Sequence, residues 1–396
     1  MSARGIDPAL IRARRDKLRG ALPAAGVDVV LALSAANVDY ATGYRSVAAV
    51  VHGTSPLAAV LSSDRLTIAG PVSDSAPGFD AGLAEEDYCA YGRFFFESAD
   101  GAARATQLVE QHADYAATIA AALRAAGDPT RVGLDERACP EPLRRRLAEL
   151  LPQVEFVDSS DWFAGVRAVK LPGEVDLLEA SARVVEKAIL AGIDAAAVGV
   201  TEAEIARVVS GTLVAEDLEP RFVVVTSGPR SALADASATH RALEAGDLLR
   251  FDVGGTREGY WADLGRTAVL GEPSARQQQF YDAILAAEED QFARARPGVL
   301  ASELFDLAVR SVETHGGPAP YRRQHCGHGI GLEVYEAPIV APGHDRELEP
   351  GMTFCFETPY YELGWGGMMV EDALVVTDDG IRLLSDRRRE LQVVPL

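Results

Sequence analysis

Three short stretches gather the residues able to do chemistry. The first, Leu248-Leu249-Arg250-Phe251-Asp252-Val253-Gly254-Gly255-Thr256-Arg257-Glu258-Gly259-Tyr260-Trp261-Ala262-Asp263, places apolar, strand-like runs on either side of a Gly-rich turn, the pattern of a β-hairpin. A turn centred between Arg257 and Glu258 sets Asp252 directly opposite Asp263, with Cβ atoms about 4.5–5.5 Å apart. The second stretch repeats the design. In Phe354-Cys355-Phe356-Glu357 and Gly366-Gly367-Met368-Met369-Val370-Glu371, a midpoint at Gly364 pairs Glu357 with Glu371. In the third, Cys326-Gly327-His328-Gly329-Ile330-Gly331, glycines flank an imidazole in a loop and let the backbone come close to a ligand.

Carboxylates opposed on a sheet repel, so each pair calls for a cation between its members. Four carboxylates and one imidazole form a hard, oxygen-rich donor set that suits Mn, Fe, Co or Zn better than a thiolate-selected metal. Their four negative charges balance two divalent ions. Such a dinuclear centre, with metals about 3.5–4 Å apart, generates hydroxide near neutral pH and stabilises a developing oxyanion. Acidic pairs are common across exposed turns; two pairs with a Gly-flanked His between them in sequence carry the reading.

These stretches must be positioned by the rest of 396 residues, a length suited to two domains. With 48% apolar and 24% charged residues the chain is that of a folded protein. Its net charge of −21 argues against a nucleic-acid or anionic-membrane surface. Four cysteines without a CxxC pair fit a reducing cytoplasm, and no targeting or spanning segment is visible. Expected in the first part are a helix from Pro8 to Arg19, strands at Val27–Leu33 and Ala58–Leu61, and an Ala-rich helix at Ala113–Ala126. Ser46 to Ser63 reads as two short strands around a turn at His52-Gly53-Thr54-Ser55-Pro56. This alternation predicts an α/β domain over 1–165. From 166 to 396 a long helix (Glu174–Ala197), a capping box at Thr201-Glu202-Ala203-Glu204, and strands grouped around two further helices predict an α+β domain with an antiparallel sheet.

With the five donor positions in place, the chain resembles the pita-bread metallopeptidases: methionine aminopeptidase, aminopeptidase P, prolidase and creatinase. The matching stretches are Gly246-Asp247-Leu248, Phe251-Asp252-Val253-Gly254, Gly259-Tyr260-Trp261-Ala262-Asp263, Arg266-Thr267, Gly327-His328-Gly329-Ile330-Gly331-Leu332, Glu357 and Glu371-Asp372. Upstream they include Arg167-Ala168-Val169-Lys170 and, in the first domain, Asn37-Val38-Asp39-Tyr40-Ala41-Thr42-Gly43-Tyr44, which resembles the creatinase and prolidase branch. The resemblance implies a pita-bread catalytic domain over 166–396 behind a smaller creatinase-like domain over 1–165. It implies that Asp252 chelates one metal, that Asp263 and Glu371 bridge both, and that His328 and Glu357 complete the other. Glu357 would also accept the nucleophile's proton, and the chain would form a homodimer acting on a small-molecule or short-peptide substrate. Creatinase works without metal and lacks this ligand set, so the five residues present argue against creatinase itself.

The departures from the family are as informative. Proline-specific members usually carry three accessory histidines; at those places this chain has Asp235, Gln324 and Tyr335. His325, beside Gln324, would restore one of them if its loop shifted by a residue. Tyr335 is the candidate replacement acid or oxyanion donor. Where prolidase-like members tend to have an Arg that binds a substrate carboxylate, this chain has Met369. The expectation is a metal-activated hydroxide attacking an amide C–N bond in a small amino-acid-derived substrate. The alternatives are a non-peptidase offshoot resembling ectoine hydrolase or dimethylsulfoniopropionate lyase, and a binding protein derived from a peptidase.

Overall fold

The computed structural model of the chain describes residues 5–53, 56–96, 111–385 and 388–396. Its contacts divide into two compact units, Met1–Arg167 and Ala168–Leu396.

In the first unit the opening helix, Pro8–Ala25, is capped by Asp7, whose side chain accepts the Ala9 N–H, and it closes on Gly26 in the left-handed region. It outruns the expected end at Arg19, because Pro23 lies in the last turn, where a missing N–H removes one hydrogen bond without breaking the helix. Seven strands form a mixed sheet in the order Gln111–His112, Tyr88–Tyr91, Leu66–Pro71, Ala58–Ser62, Val29–Ala32, Arg131–Leu134, Glu155–Asp158. The reading of Ser46–Ser63 as two strands is half wrong. Val47–His52 is a helix, nucleated by the Ser46 hydroxyl accepting the Ala48 N–H, and only Ala58–Ser62 is a strand. A short apolar run has no periodicity to separate the two conformations; the cap decides. Val29, Leu31, Val60, Ile119, Leu123, Val132 and Leu134 form the buried core between this sheet and the helix Tyr115–Ala125.

In the second unit a curled antiparallel sheet runs in the order Glu336–Ile339, Gly327–Gly329, Thr353–Glu357, Glu371–Val376, Tyr260–Leu270, Leu248–Arg257, Glu219–Ser227. Two helices, Pro172–Asp194 and Glu202–Ala215, pack on the strands Tyr260–Leu270, Leu248–Arg257 and Glu219–Ser227. The second begins with the expected capping box, Thr201 and Glu204 each bonding the other's backbone N–H. A further pair, Ala275–Arg294 and Ala301–Thr314, contributes Tyr281, Ile284, Leu304 and Ala308 to the main core with Phe354, Phe356 and Leu374. This is an α+β domain following an α/β domain.

Candidate metal centre

The sheet's register explains how five distant residues meet. The second hairpin pairs as expected, Glu357 opposite Glu371. The first does not. Its turn is the two-residue Glu258-Gly259, with φ of 49° and 83°, so Arg257 faces Tyr260. Positive φ at both central residues is the turn geometry that matches strand twist. Moving the turn centre by one residue moves every partner by two. Asp252 therefore stands opposite Gly265, and Asp263 opposite Gly254; the direct opposition of Asp252 and Asp263 is incorrect. They remain on one face as diagonal neighbours, a separation of about 7–8 Å.

Gly265 pairs with Asp252 on one side and Glu371 on the other, so one rung crosses Asp252, Gly265, Glu371 and Glu357. Two residues along, Asp263 and His328 lie on the same face, since His328 pairs with Cys355 and Asp263 is two positions from Gly265. Small residues line the space between them. A Cβ on Gly265 would overlap Met369, and the Cys355 thiol donates to the Asp263 carbonyl at 3.4 Å. His328 sits in a strand, Gly327–Gly329, rather than in the expected loop. Its glycines serve strand packing: Gly327 holds φ at 140°, and a Cβ on Gly329 would meet the Glu336 carbonyl at 2.7 Å.

Three of the five residues form a compact donor set. Asp263, His328 and Glu371 are buried and each offers an atom within 4.8 Å of the others. His328 Nε2 stands 3.9 Å from Asp263 Oδ2 and 3.8 Å from Glu371 Oε1. His328 Nδ1 lies 3.0 Å from the Gly329 carbonyl, which directs its N–H there and leaves Nε2 as a lone-pair donor. Among the described residues, Nε2, Asp263 Oδ1 and Glu371 Oε1 are buried without a hydrogen-bond partner. Orphaned buried acceptors are costly. A cation removes that cost, so the residues fit a divalent metal.

Electrostatics leads to the same conclusion. Burial, and after it the neighbouring carboxylates, hold Asp263 and Glu371 well above the ordinary carboxylate range. Burial also pushes Asp252 to about 6, although Arg250 pulls it down. Glu357 goes the other way. Its burial would raise it, but His325 and Arg323 together outweigh that and hold it at about 2. Arg323 Nη2 donates to Glu357 Oε2 at 3.0 Å, and His325 Nδ1 lies 3.1 Å from Oε1. Burial lowers His328 and keeps it neutral, the form that ligates.

The remaining candidates are distributed unevenly. His325 reaches Glu357 while Gln324 is exposed. Tyr335 is 53% exposed, with its ring against His328 and its edge toward His325. Asp235 is on the surface, close enough to raise Asp252. Met369 is buried, with its sulfur 4.0 Å from Arg250 Nη1. The sequence reading missed both arginines. Arg250 had a signal: a cation inside the apolar run Leu248–Phe251 must be buried and paired. It donates to the carbonyls of Ser231, Leu233 and Ala234 and to Asp252 Oδ2. Arg323, in the polar run before His328, had none.

A curled antiparallel sheet presenting four carboxylates and an imidazole on one face, three of them with open buried donor atoms, marks a candidate divalent-metal centre. Residues 176–378 match the metallopeptidase family M24 and residues 14–169 match the creatinase/prolidase N-terminal domain, so the chain belongs to metallopeptidase family M24. It is 33% identical over 239 residues to an Xaa-Pro dipeptidase of Pyrococcus horikoshii, covering 60% of this chain and 68% of that protein. A probable dipeptidase PepE of Mycobacterium bovis is 36% identical over 240 residues, 60% of this chain and 64% of the relative. Among solved structures, dipeptidase PepE from Mycobacterium ulcerans superposes with a TM-score of 0.81 at 28% identity, covering 99% of this chain and 100% of the other. The fold of Xaa-Pro dipeptidase from Bacillus anthracis is matched at the same TM-score and 24% identity, over 97% and 100% of the two chains. The protein is a metallohydrolase of family M24.

Proposed function

We propose that this enzyme hydrolyses the amide C–N bond of a small, dipeptide-sized substrate derived from amino acids, using two divalent ions (Mn, Co, Fe or Zn) held by Asp252, Asp263, His328, Glu357 and Glu371. The convergence of three orphaned donor atoms on Asp263, His328 and Glu371 carries the metal reading. When bound, the ions supply a hydroxide near neutral pH and Lewis acidity toward the scissile carbonyl. The chain's own residues do the rest. Asp263 and Glu371, on neighbouring strands in the middle of the donor set, would hold the ions together with His328. Glu357, held by Arg323 and lying 3.1 Å from His325 Nδ1, would take the nucleophile's proton. Tyr335 stays a protonated phenol, since burial and then the four carboxylates hold its pKa above the usual range; it is a donor for the developing oxyanion or the leaving nitrogen.

The surroundings of the centre narrow the substrate. Relatives named Xaa-Pro dipeptidase support a dipeptide frame. By the family resemblance, Asp235, Gln324, Tyr335 and Met369 stand where proline-specific members usually carry three histidines and an arginine. Losing a positioned proton-transfer group costs about 10²–10⁴ in rate, so a plain Xaa-Pro dipeptide is a poor substrate and a modified amino-acid amide a better one. The test is a panel of Xaa-Pro dipeptides and N-acyl amino acids on protein loaded with Mn or Co, beside a working prolidase. Metal-dependent turnover favouring the modified amides is expected; Xaa-Pro turnover equal to the prolidase's overturns the narrowed substrate class.

We also propose a homodimer in a reducing compartment. Four cysteines without a CxxC pair support the setting. Light scattering should return twice the 42.1 kDa chain mass; a lone 42.1 kDa species at micromolar concentration rejects the dimer.

A further inference from the structure

The five donor residues are not equivalent. Asp263, His328 and Glu371 have open donor atoms, while each of the other two carboxylates already has a guanidinium: Arg250 on Asp252 at 3.2 Å and Arg323 on Glu357 at 3.0 Å. Counted with these arginines, four carboxylates leave a charge of −2, which one divalent ion neutralises. A second ion adds two positive charges that this set of residues does not balance.

The two arginines also differ from each other. Arg250 is fully buried and clamped by three backbone carbonyls, those of Ser231, Leu233 and Ala234, so it is a fixed counter-charge. Arg323 keeps some exposure, 12%, and among the described residues its only hydrogen bond apart from Glu357 is to the His325 carbonyl in its own loop. It is anchored to no other carboxylate and can withdraw.

We infer that Arg323 is a built-in counter-cation that competes with metal for Glu357, so that the centre fills in order: Asp263, His328 and Glu371 take the first ion, and Glu357 joins the ligand set only when Arg323 lets go. The inference rests on the metal-centre reading above and assigns this chain a residue that sets metal affinity from outside the ligand set. Arg323 is thus a positioning residue acting through Glu357. Exchange of a charge-assisted hydrogen bond for a metal bond costs the second ion about tenfold or more in affinity.

The experiment is calorimetric titration of the metal-stripped full chain with Co²⁺ or Mn²⁺, with elemental analysis after dialysis and thermal unfolding as a check of folding. Wild type should bind in two unequal steps. Arg323→Met should tighten the second step about tenfold and leave the first unchanged, whereas Arg323→Lys, which keeps the charge, should stay near wild type. Glu357→Gln should abolish the second step and keep the first. Two equal steps in wild type, or a second step that Arg323→Met does not move, overturn the inference while leaving the metal centre standing. If Arg323→Met fails to fold, Glu357→Gln decides: loss of both steps overturns the order of filling. Binding of no ion by folded wild type overturns both the metal centre and the inference.

Discussion

The Tyr335 ring lies with its centroid 4.0 Å from that of His328, tilted by 31°. This half-exposed phenol rests on a buried imidazole, and among the described residues its hydroxyl makes no hydrogen bond. Under the proposed function that hydroxyl serves the substrate. Tyr335→Phe keeps the ring contact and removes only the donor. Turnover should fall by about 10²-fold, with metal content unchanged, if the phenol stabilises the transition state; steady-state kinetics paired with elemental analysis separates this from a metal defect.

Asp263 stands on the strand between those of Asp252 and Glu371, and under the proposed two-ion centre its loss should be felt by both ions. Asp263→Ala is expected to abolish retention of divalent ions after dialysis. Wild-type stoichiometry in the folded variant would remove Asp263 from the ligand set.

Gly265 is the point where the rung from Asp252 to Glu371 is thinnest. Gly265→Ala drives a methyl into Met369, and overpacking of this kind costs about 1–3 kcal/mol. Urea denaturation should show that loss. Because the methyl sits between two ligand-bearing strands, metal retention should weaken as well.

Glu202 tests a part of the fold that the chemistry does not touch directly. Its buried carboxylate accepts from the N–H and hydroxyl of both Ser227 and Thr239 and from Arg230, tying together the ends of the loop that carries Asp235. Burial alone would raise its proton affinity, but these donors outweigh it and hold the pKa below the ordinary carboxylate value. The native state thus binds fewer protons than the unfolded chain in that window. The stabilisation is present above the unfolded carboxylate pKa and is lost as pH falls through the lower folded value. Glu202→Gln should cost about 3 kcal/mol near neutral pH, because a donor amide replaces part of an acceptor-only group. It should also flatten the acid limb of stability against pH; denaturation midpoints across the acid range will show either result.

Residue types and spacing alone determined much of this protein. The carboxylates and imidazole could be named because hard donors recur in two hairpins and a Gly-flanked motif, and the Glu357–Glu371 pairing followed from a midpoint. Alternation against grouping of elements was enough to separate an α/β part from an α+β part. What needed the tertiary structure was whatever depends on a single residue of register or on an unpatterned contact. The turn at Glu258-Gly259 moved Asp252 from Asp263 to Gly265, because a shift of one residue in a turn displaces each partner by two. The helix Val47–His52 hung on one capping hydroxyl that a short apolar run does not reveal. Arg323 and Glu357 are 34 positions apart and meet through no periodic pattern, so their ion pair exists only once the sheet has curled. Donor identity is local chemistry and survives in a sequence; which donors are open and which are already paired is a property of packing.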